Sequence, residues 1–581
     1  MLYSSNFMFK KKSRNKFKIS NQNQNLENNS ANNSTDSVDD NIGFVPDQDE
    51  PNEPFKWGIL LTLCLAIAII VIDGTVLNVS ITAIVKDLNS NIKDITWAQT
   101  LYSLMLAALG IFGGRLGDLF GRRRAFVIGA IIFGIGSLMT ALAPNIGILI
   151  LGWSVVEGVG AALMTPASSA LIVSNFKPKD RGKAFGIYGA TAGIASAIGP
   201  ILGGFLTTNA SWRWAFGINL VVVLALCLGA TKLKEYSENS KKPDFDPIGF
   251  ILSATGLSAL TYGIIESSTY GWLGAKKAFE LMGNSYNLPF GLSASFYFIF
   301  SGVILALTYI WWEIQYEKQG KEPLVSMRLF QNRGFSSGIL TTSILFAGFT
   351  GLIAFGAGFF FQTVLGLGAF DSGIGTFPIS LGVFIMAALS NKLTHKISPR
   401  TITQIGFVLS IIASFWLYNS FSLSADRLTL APILFLFGLG FGMIVSQLTN
   451  ITLSTIPVTQ AGSASGINGA LRDVGRTIGT ALIGAAFIST VSASIISGLN
   501  SNSVIPQPVK DKITQNVSSG DTNYGISDSS DSSKKTNVTN EIEKTTKLAI
   551  IEGNKTSITF VLYSLILCLG TTLLIPKKVS G

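Results

Sequence analysis

The stretch GGRLGDLFGRRRAF, residues 113–126, joins two apolar runs, each long enough to cross a lipid bilayer. Arg122, Arg123 and Arg124 suit a loop held on one side of a membrane. Asp118 asks for more than an anchor. It stands four residues before Arg122, the spacing of an ion pair on one helix face, and a carboxylate there can also accept from the amides of a helix N-terminus. Gly114 and Gly121 remove side chains where helices and a tight turn must approach. Together these residues predict a conformational latch.

The rest of the chain agrees with a membrane setting. Of 581 residues 48% are hydrophobic and only 13% charged, and the mean hydropathy is +0.45. Soluble domains carry about 25% charged residues. Sixty glycines suit helices whose backbones approach closely inside a bilayer. Fourteen spans are predicted, starting near Trp57, Trp97, Arg124, Gly147, Lys183, Trp214, Pro247, Leu292, Ser336, Ser372, Thr401, Leu428, Ala464 and Thr556. The net charge of +10 collects in alternate short loops, among them Lys177 to Lys183 and Lys318 to Arg333. It therefore reads as an orientation signal that places both termini in the cytoplasm, and nucleic acid is excluded as a partner. Cys64, Cys227 and Cys568 sit in or beside apolar runs and imply no disulfide framework. One histidine, His395, and no CxxC pair imply no metal site.

The predicted organisation is an all-α integral membrane fold. Residues 1–55 form a disordered cytoplasmic tail with no cleavable signal, because polar residues follow the basic cluster. Residues 56–235 form a six-helix half, 236–335 two inserted helices and linkers, and 336–581 a second six-helix half. Within the latter, 497–555 is expected to be a disordered external loop. A weak repeat supports two halves: GVGAALMTPASSAL (158–171) matches GLGFGMIVSQLTNI (438–451), and GRLGDLFGRRR (114–124) is echoed by NKLTHKISPRT (391–401). Such repeats are typical of secondary transporters.

The spacing G-x-L-x-D-x-x-G-R-R resembles the hallmark loop of the major facilitator superfamily, although that family often has a basic residue where Leu119 stands. GIASAIGPILGG (193–204), with Gly193, Gly199, Pro200 and Gly203, resembles the family's antiporter motif, which implies export and a helix bent at a face shared between the halves. VIDGTVLNVSI (71–81), SWRWAFGIN (211–219) and AGSASGINGALRDVGRTIGTALIG (461–484) resemble the fourteen-span drug/proton antiporters of the EmrB/QacA type. The resemblance covers about 57–500.

Two carboxylates fall inside predicted spans, Asp73 in the first and Glu157 in the fourth, where a charge costs roughly 2.5–3.5 kcal/mol. At 1.5 Å per residue both lie roughly 12–15 Å deep, so they are expected to face one central pocket, with Asn78 nearby. Burial and a neighbouring carboxylate both favour a protonated carboxyl, so such a pair can carry protons and meet a cation in turn. The resemblance implies arginine at Ser154 and glutamine at Glu157; here the positive charge is gone and a negative one stands three residues later. Ser154 and Glu157 are expected to share a helix face. Glu266 reads as interfacial, and Asp473 beside Arg472 as a structural pair or gate element.

The leading reading is proton-coupled efflux of amphipathic, preferentially cationic, drugs across the cytoplasmic membrane. It needs protons, a small-molecule substrate and the bilayer as partners, no cofactor beyond the proton gradient, and no enzymatic chemistry. The alternatives are export of a native metabolite, siderophore or lipid, and a non-transporting sensor. Oligomeric state is left open.

Overall fold

The computed structural model describes residues 55–90, 92–234, 246–281, 284–394, 396–518 and 537–576. Of the expected tail, 1–55, residues 1–54 lie outside them, as does His395. Among the described residues fourteen long helices make up the fold. The first half holds α1 (Trp57–Asp87), α2 (Ile92–Phe120), α3 (Arg122–Ala141), α4 (Ile146–Asn175), α5 (Pro178–Asn209) and α6 (Arg213–Ala230). The inserted pair is α7 (Pro247–Ile265) and α8 (Ala294–Lys318). The second half holds α9 (Arg333–Thr363), α10 (Ala369–Leu393), α11 (Pro399–Ser420), α12 (Arg427–Ser454), α13 (Ala461–Ser501) and α14 (Asn537–Thr571). Among the described residues thirteen of these are long and apolar enough to cross a membrane. The remaining one, α10, carries a shorter apolar run, Asp371–Ala387.

Polar caps set several helix starts. Asn145, Asp246, Ser293, Asn332 and Asp426 each accept an otherwise unpaired amide of the first turn. The outward faces are apolar: Ile128, Ile131, Ile135 and Leu138 on α3 are 43–52% exposed, at helical spacing. That is a lipid-facing stripe, since in a bilayer the outside needs no polar cover.

Close helix crossings depend on glycine. A Cβ at Gly129 on α3 would stand 2.9 Å from the Gly160 carbonyl oxygen of α4. A Cβ at Gly406 on α11 would stand 2.7 Å from the Gly440 carbonyl oxygen of α12. The crossing is the same in both halves, and Gly160 and Gly440 are equivalent positions of the sequence repeat. Between α7 and α8, Gly263 and Gly302 do the same work, and a Cβ at Gly302 would lie 2.6 Å from Leu260 N. The inserted pair rests on α2 through Phe112 on Phe250 and Trp97 on Tyr262, at 4.4 and 6.0 Å between ring centroids. A hairpin of β1 (Phe279–Leu281) and β2 (Asn284–Tyr286) fills the loop between α7 and α8.

The described parts of segment 497–555, residues 497–518 and 537–555, depart from the expected disorder. Helix α13 runs to Ser501, a short helix spans Gln507–Ser518, and α14 begins at Asn537 rather than near Thr556. Ser, Asn and Lys dominate this segment, but a sparse apolar stripe is present. Val509, Ile513 and Val517 recur every four residues and pack with Val538 and Ile542 against the second core. Residues 519–536 lie outside the described set.

Candidate functional site

The residues expected to form the latch meet the second half at one end of the bundle. Asp118 Oδ1 accepts from Arg122 Nη2 at 2.8 Å and Nε at 3.1 Å. It also accepts from the Gly462 amide at 2.9 Å, while Oδ2 accepts from the Ser463 amide at 2.7 Å and the Ser463 hydroxyl at 3.0 Å. One carboxylate thus caps the N-terminus of α13 from the other half. Arg122 is fully buried and donates its Nη2 to the Val458 carbonyl oxygen as well. Gly114 lies against Gly462 and Gly466, and Gly121 has φ +104°, which permits the turn into α3. Arg123 lines an open surface groove with Arg124 and Ile128.

The antiporter motif divides between two contacts. Gly199 and Gly203 pack on Thr75 and Val76 of α1, where a Cβ on Gly203 would meet Val76 Cγ1 at 3.0 Å. Gly193 faces the other half, its carbonyl accepting from the Ser380 hydroxyl of α10 at 2.9 Å. The face shared between the halves is therefore at Gly193, whereas Gly199 and Gly203 serve packing within the first half. Pro200 lies inside α5.

Asp73 and Glu157 do come together, inside the first half. Asp73, 3% exposed, accepts from Trp153 Nε1 at 2.6 Å and from Asn219 Nδ2 at 3.0 Å. Asn219 also donates to the Ser137 hydroxyl at 3.0 Å. Glu157 is fully buried beside the Asp73 carboxyl, with the Ser137 and Thr140 hydroxyls alongside. Tyr102 stacks on Trp153 at 4.9 Å and 7°, which closes the α2 side.

Here the structure corrects two expectations. Glu157 faces α3 rather than an open central pocket, since a Cβ on Gly136 would meet Glu157 Cγ at 2.6 Å. Nor does Ser154 point with Glu157 at α3: the Ser154 hydroxyl donates to the Ala98 carbonyl of α2 at 2.8 Å. The reason is local. Residues Ile150–Glu157 form a π-helical stretch, whose wider turn rotates side chains away from α-helical spacing. Such stretches are rare and frequently mark functional sites. The Asn78 side chain lies outside the described residues.

Trp153, Asn219, Ser137 and Tyr102 were not legible as partners beforehand. Asn219 ends the SWRWAFGIN stretch, and that position is its only sequence signal. The same stretch clamps the end opposite the latch. Trp212 Nε1 and Arg213 Nη2 donate to Asp87 at 3.1 and 2.9 Å, and Arg213 Nη1 donates to the Ala143 carbonyl at 2.8 Å. Glu266 is half-buried just past α7, where burial pushes its carboxyl above the usual range and the Thr269 hydroxyl opposes the shift.

Comparison with known proteins agrees with this architecture. The family model of the Major Facilitator Superfamily matches residues 63–480, so the chain belongs to that superfamily and is a multi-pass membrane carrier, not an enzyme. The chain is 29% identical over 454 residues to a "probable actinorhodin transporter" of Streptomyces coelicolor, covering 76% of this chain and 75% of that protein. It is 28% identical over 435 residues to "multidrug export protein EmrB" of Haemophilus influenzae, covering 74% and 81%. Among solved structures, the proton:xylose symporter XylE shares the fold at a TM-score of 0.53 and 14% identity, covering 88% of this chain and 94% of that one.

Proposed function

We propose that the protein is a proton-driven exporter of amphipathic compounds, cationic or zwitterionic ones preferred, working in the cytoplasmic membrane. Its drug-exporting relatives support the class of activity. The observation that supports the coupling is the buried carboxyl pair of Asp73 on α1 and Glu157, the last residue of the π-helical stretch of α4. Two charges side by side in that setting are costly, and one proton held between them removes most of the cost. In this latch-closed state the pair is protonated. When the halves rearrange and the pair meets water or a cation, the proton leaves, so proton and substrate take turns. Each proton moving inward contributes about 2.3 kcal/mol per 100 mV.

The basic residues Arg122, Arg123 and Arg124 put the latch end at the cytoplasm, and with it both termini. The closed latch then corresponds to a carrier shut toward the cytoplasm. Reconstituted Glu157→Gln protein tests the reading: drug-driven proton flux should fall, and flux equal to the parent would remove Glu157 from the coupling. A substrate screen in a drug-hypersensitive strain, with and without a protonophore, tests export itself. A second reading, export of a secondary metabolite made by the same cell, is favoured by the name of the Streptomyces relative. Loss of a cellular product from the medium on deletion, with no drug phenotype, would support it.

A further inference from the structure

The charged residues of α13 are placed unlike the carboxyls of the first half. Asn468, Arg472 and Arg476 recur every four residues and share one face of α13. Gly462, whose amide Asp118 holds, marks the latch end of this helix. Arg472 and Arg476 lie ten and fourteen residues further on, about 15 and 21 Å along the axis. Both fall within the roughly 30 Å hydrocarbon zone, where an ionised side chain is a functional feature by default.

These arginines are not sealed. The Arg472 and Arg476 side chains are 27% and 52% accessible. Across from them, on the first half, Tyr188 of α5 and Tyr102 of α2 lie within electrostatic reach of Arg472 and Asp473, so the stripe faces the space between the halves. Among the described residues Asp473 is the carboxylate that pairs with both. Its Oδ1 lies 3.4 Å from Arg472 Nε and 3.7 Å from Arg476 Nη1. Both contacts are long for charge-assisted bonds, and one carboxylate between two guanidinium groups leaves one positive charge over. Asn468 Oδ1, one turn before Arg472, is buried and has no hydrogen-bond partner among the described residues.

An aromatic wall leads to the stripe. Phe346 of α9 lies under both guanidinium groups, with ring-centroid distances of 5.6 Å to Arg472 and 5.9 Å to Arg476. Phe346 touches Phe441 of α12 at 6.2 Å, and Phe349 stacks on Phe441 at 4.0 Å and 14°. A flat aromatic body against this wall would present an acidic substituent to guanidinium forks, which bind carboxylates through two parallel N–H bonds.

We propose that Arg472 and Arg476, with Phe346, form a subsite for the carboxylate of a planar aromatic substrate. This rests on the export reading and deepens it, because the carried compounds then bear an acidic group at one end and meet the acidic pair of the first half with the other. The test uses one xanthylium dye in two forms, the free carboxylic acid and its methyl ester, which share ring and cation and differ in one negative charge. Fluorescence anisotropy with the purified full-length protein should show the acid binding about tenfold tighter than the ester. Arg476→Gln should bring the acid down to the ester's affinity and leave the ester where it was, while Arg476→Lys retains most of the preference. Equal affinity of acid and ester in the parent, binding of neither, or an equal loss for both dyes in Arg476→Gln, overturns the subsite. Export is read separately in energised inverted vesicles. Preferential binding of the acid without uptake of either dye would overturn the export reading and leave the subsite standing.

Discussion

The helix pairs α3–α4 and α11–α12 cross in the same way and carry different chemistry. Gly129 meets Gly160 in one half and Gly406 meets Gly440 in the other, at nearly the same separation. Three residues before Gly160 stands Glu157; three residues before Gly440 stands Phe437. Glu157 faces Asp73, Ser137 and Thr140, whereas Phe437 stacks on Phe441 and Phe349 at 6.1 and 6.4 Å. The lesson is about what a crossing constrains. Close approach requires only that a Cβ be missing at the contact, so neighbouring positions are free to diverge. One half has become an acidic, water-excluded cluster, and the other an aromatic wall with accessible arginines.

The largest effect should come from cutting a charged contact that joins the halves. Asp118→Ala leaves fully buried Arg122 without its carboxylate and uncaps α13, a loss of about 3–5 kcal/mol. Transport in vesicles should be abolished, and protein in the membrane should be more accessible to protease at the latch end. Substituting the divergent position comes next. Glu157→Gln should cut proton-coupled flux about a hundred-fold, the scale of a lost proton carrier, while Phe437→Leu changes it only a few-fold. Comparable losses in both variants would mean that the two halves do not divide the work. The third effect tests the shared crossing. Gly160→Ala and Gly440→Ala should each destabilise by about 1–3 kcal/mol in thermal unfolding in detergent, because the added methyl meets backbone on the facing helix. A cost in one half alone would show the crossings to be unequal.

The smallest effect concerns Asp426, which caps α12 where Asn145 caps α4. The Thr429 hydroxyl, at 2.5 Å, and the Thr429 amide hold its carboxyl below the usual range. A depressed folded value means that the stabilisation is present above the ordinary aspartate range and is lost as pH falls through it. Asp426→Ala should therefore lower the unfolding temperature slightly at neutral pH and not at all in strong acid. Asn145→Ala should show no such pH dependence.

Much of this was legible in one dimension. Span starts such as Trp57 and Pro247 follow from apolar run length, and the Asp118–Arg122 pair from four-residue spacing. The glycine pairs follow from the repeat of Gly160 and Gly440. The candidate site was legible by half. Asp73 and Glu157 were conspicuous because charge is rare in a span, but Trp153 and Tyr102 look like ordinary apolar-run residues. Their roles come from stacking across α2 and α4. Segment 497–555 was misread because a narrow stripe, Val509, Ile513 and Val517, is diluted by polar residues in any average of composition.

By itself the sequence determined a many-helix carrier, the weak internal repeat, the Asp118–Arg122 spacing and the presence of two carboxylates inside spans. These follow from run length, spacing and the cost of charge in lipid, all of which act along one chain. Only the tertiary structure decided which charges are sealed and which are accessible. The π-helical turn at Ile150–Glu157 swings Glu157 toward α3, and the packing of α9 beside α13 leaves Arg476 open above Phe346. Accessibility depends on what stands opposite a side chain, and the opposite residue comes from a distant part of the chain.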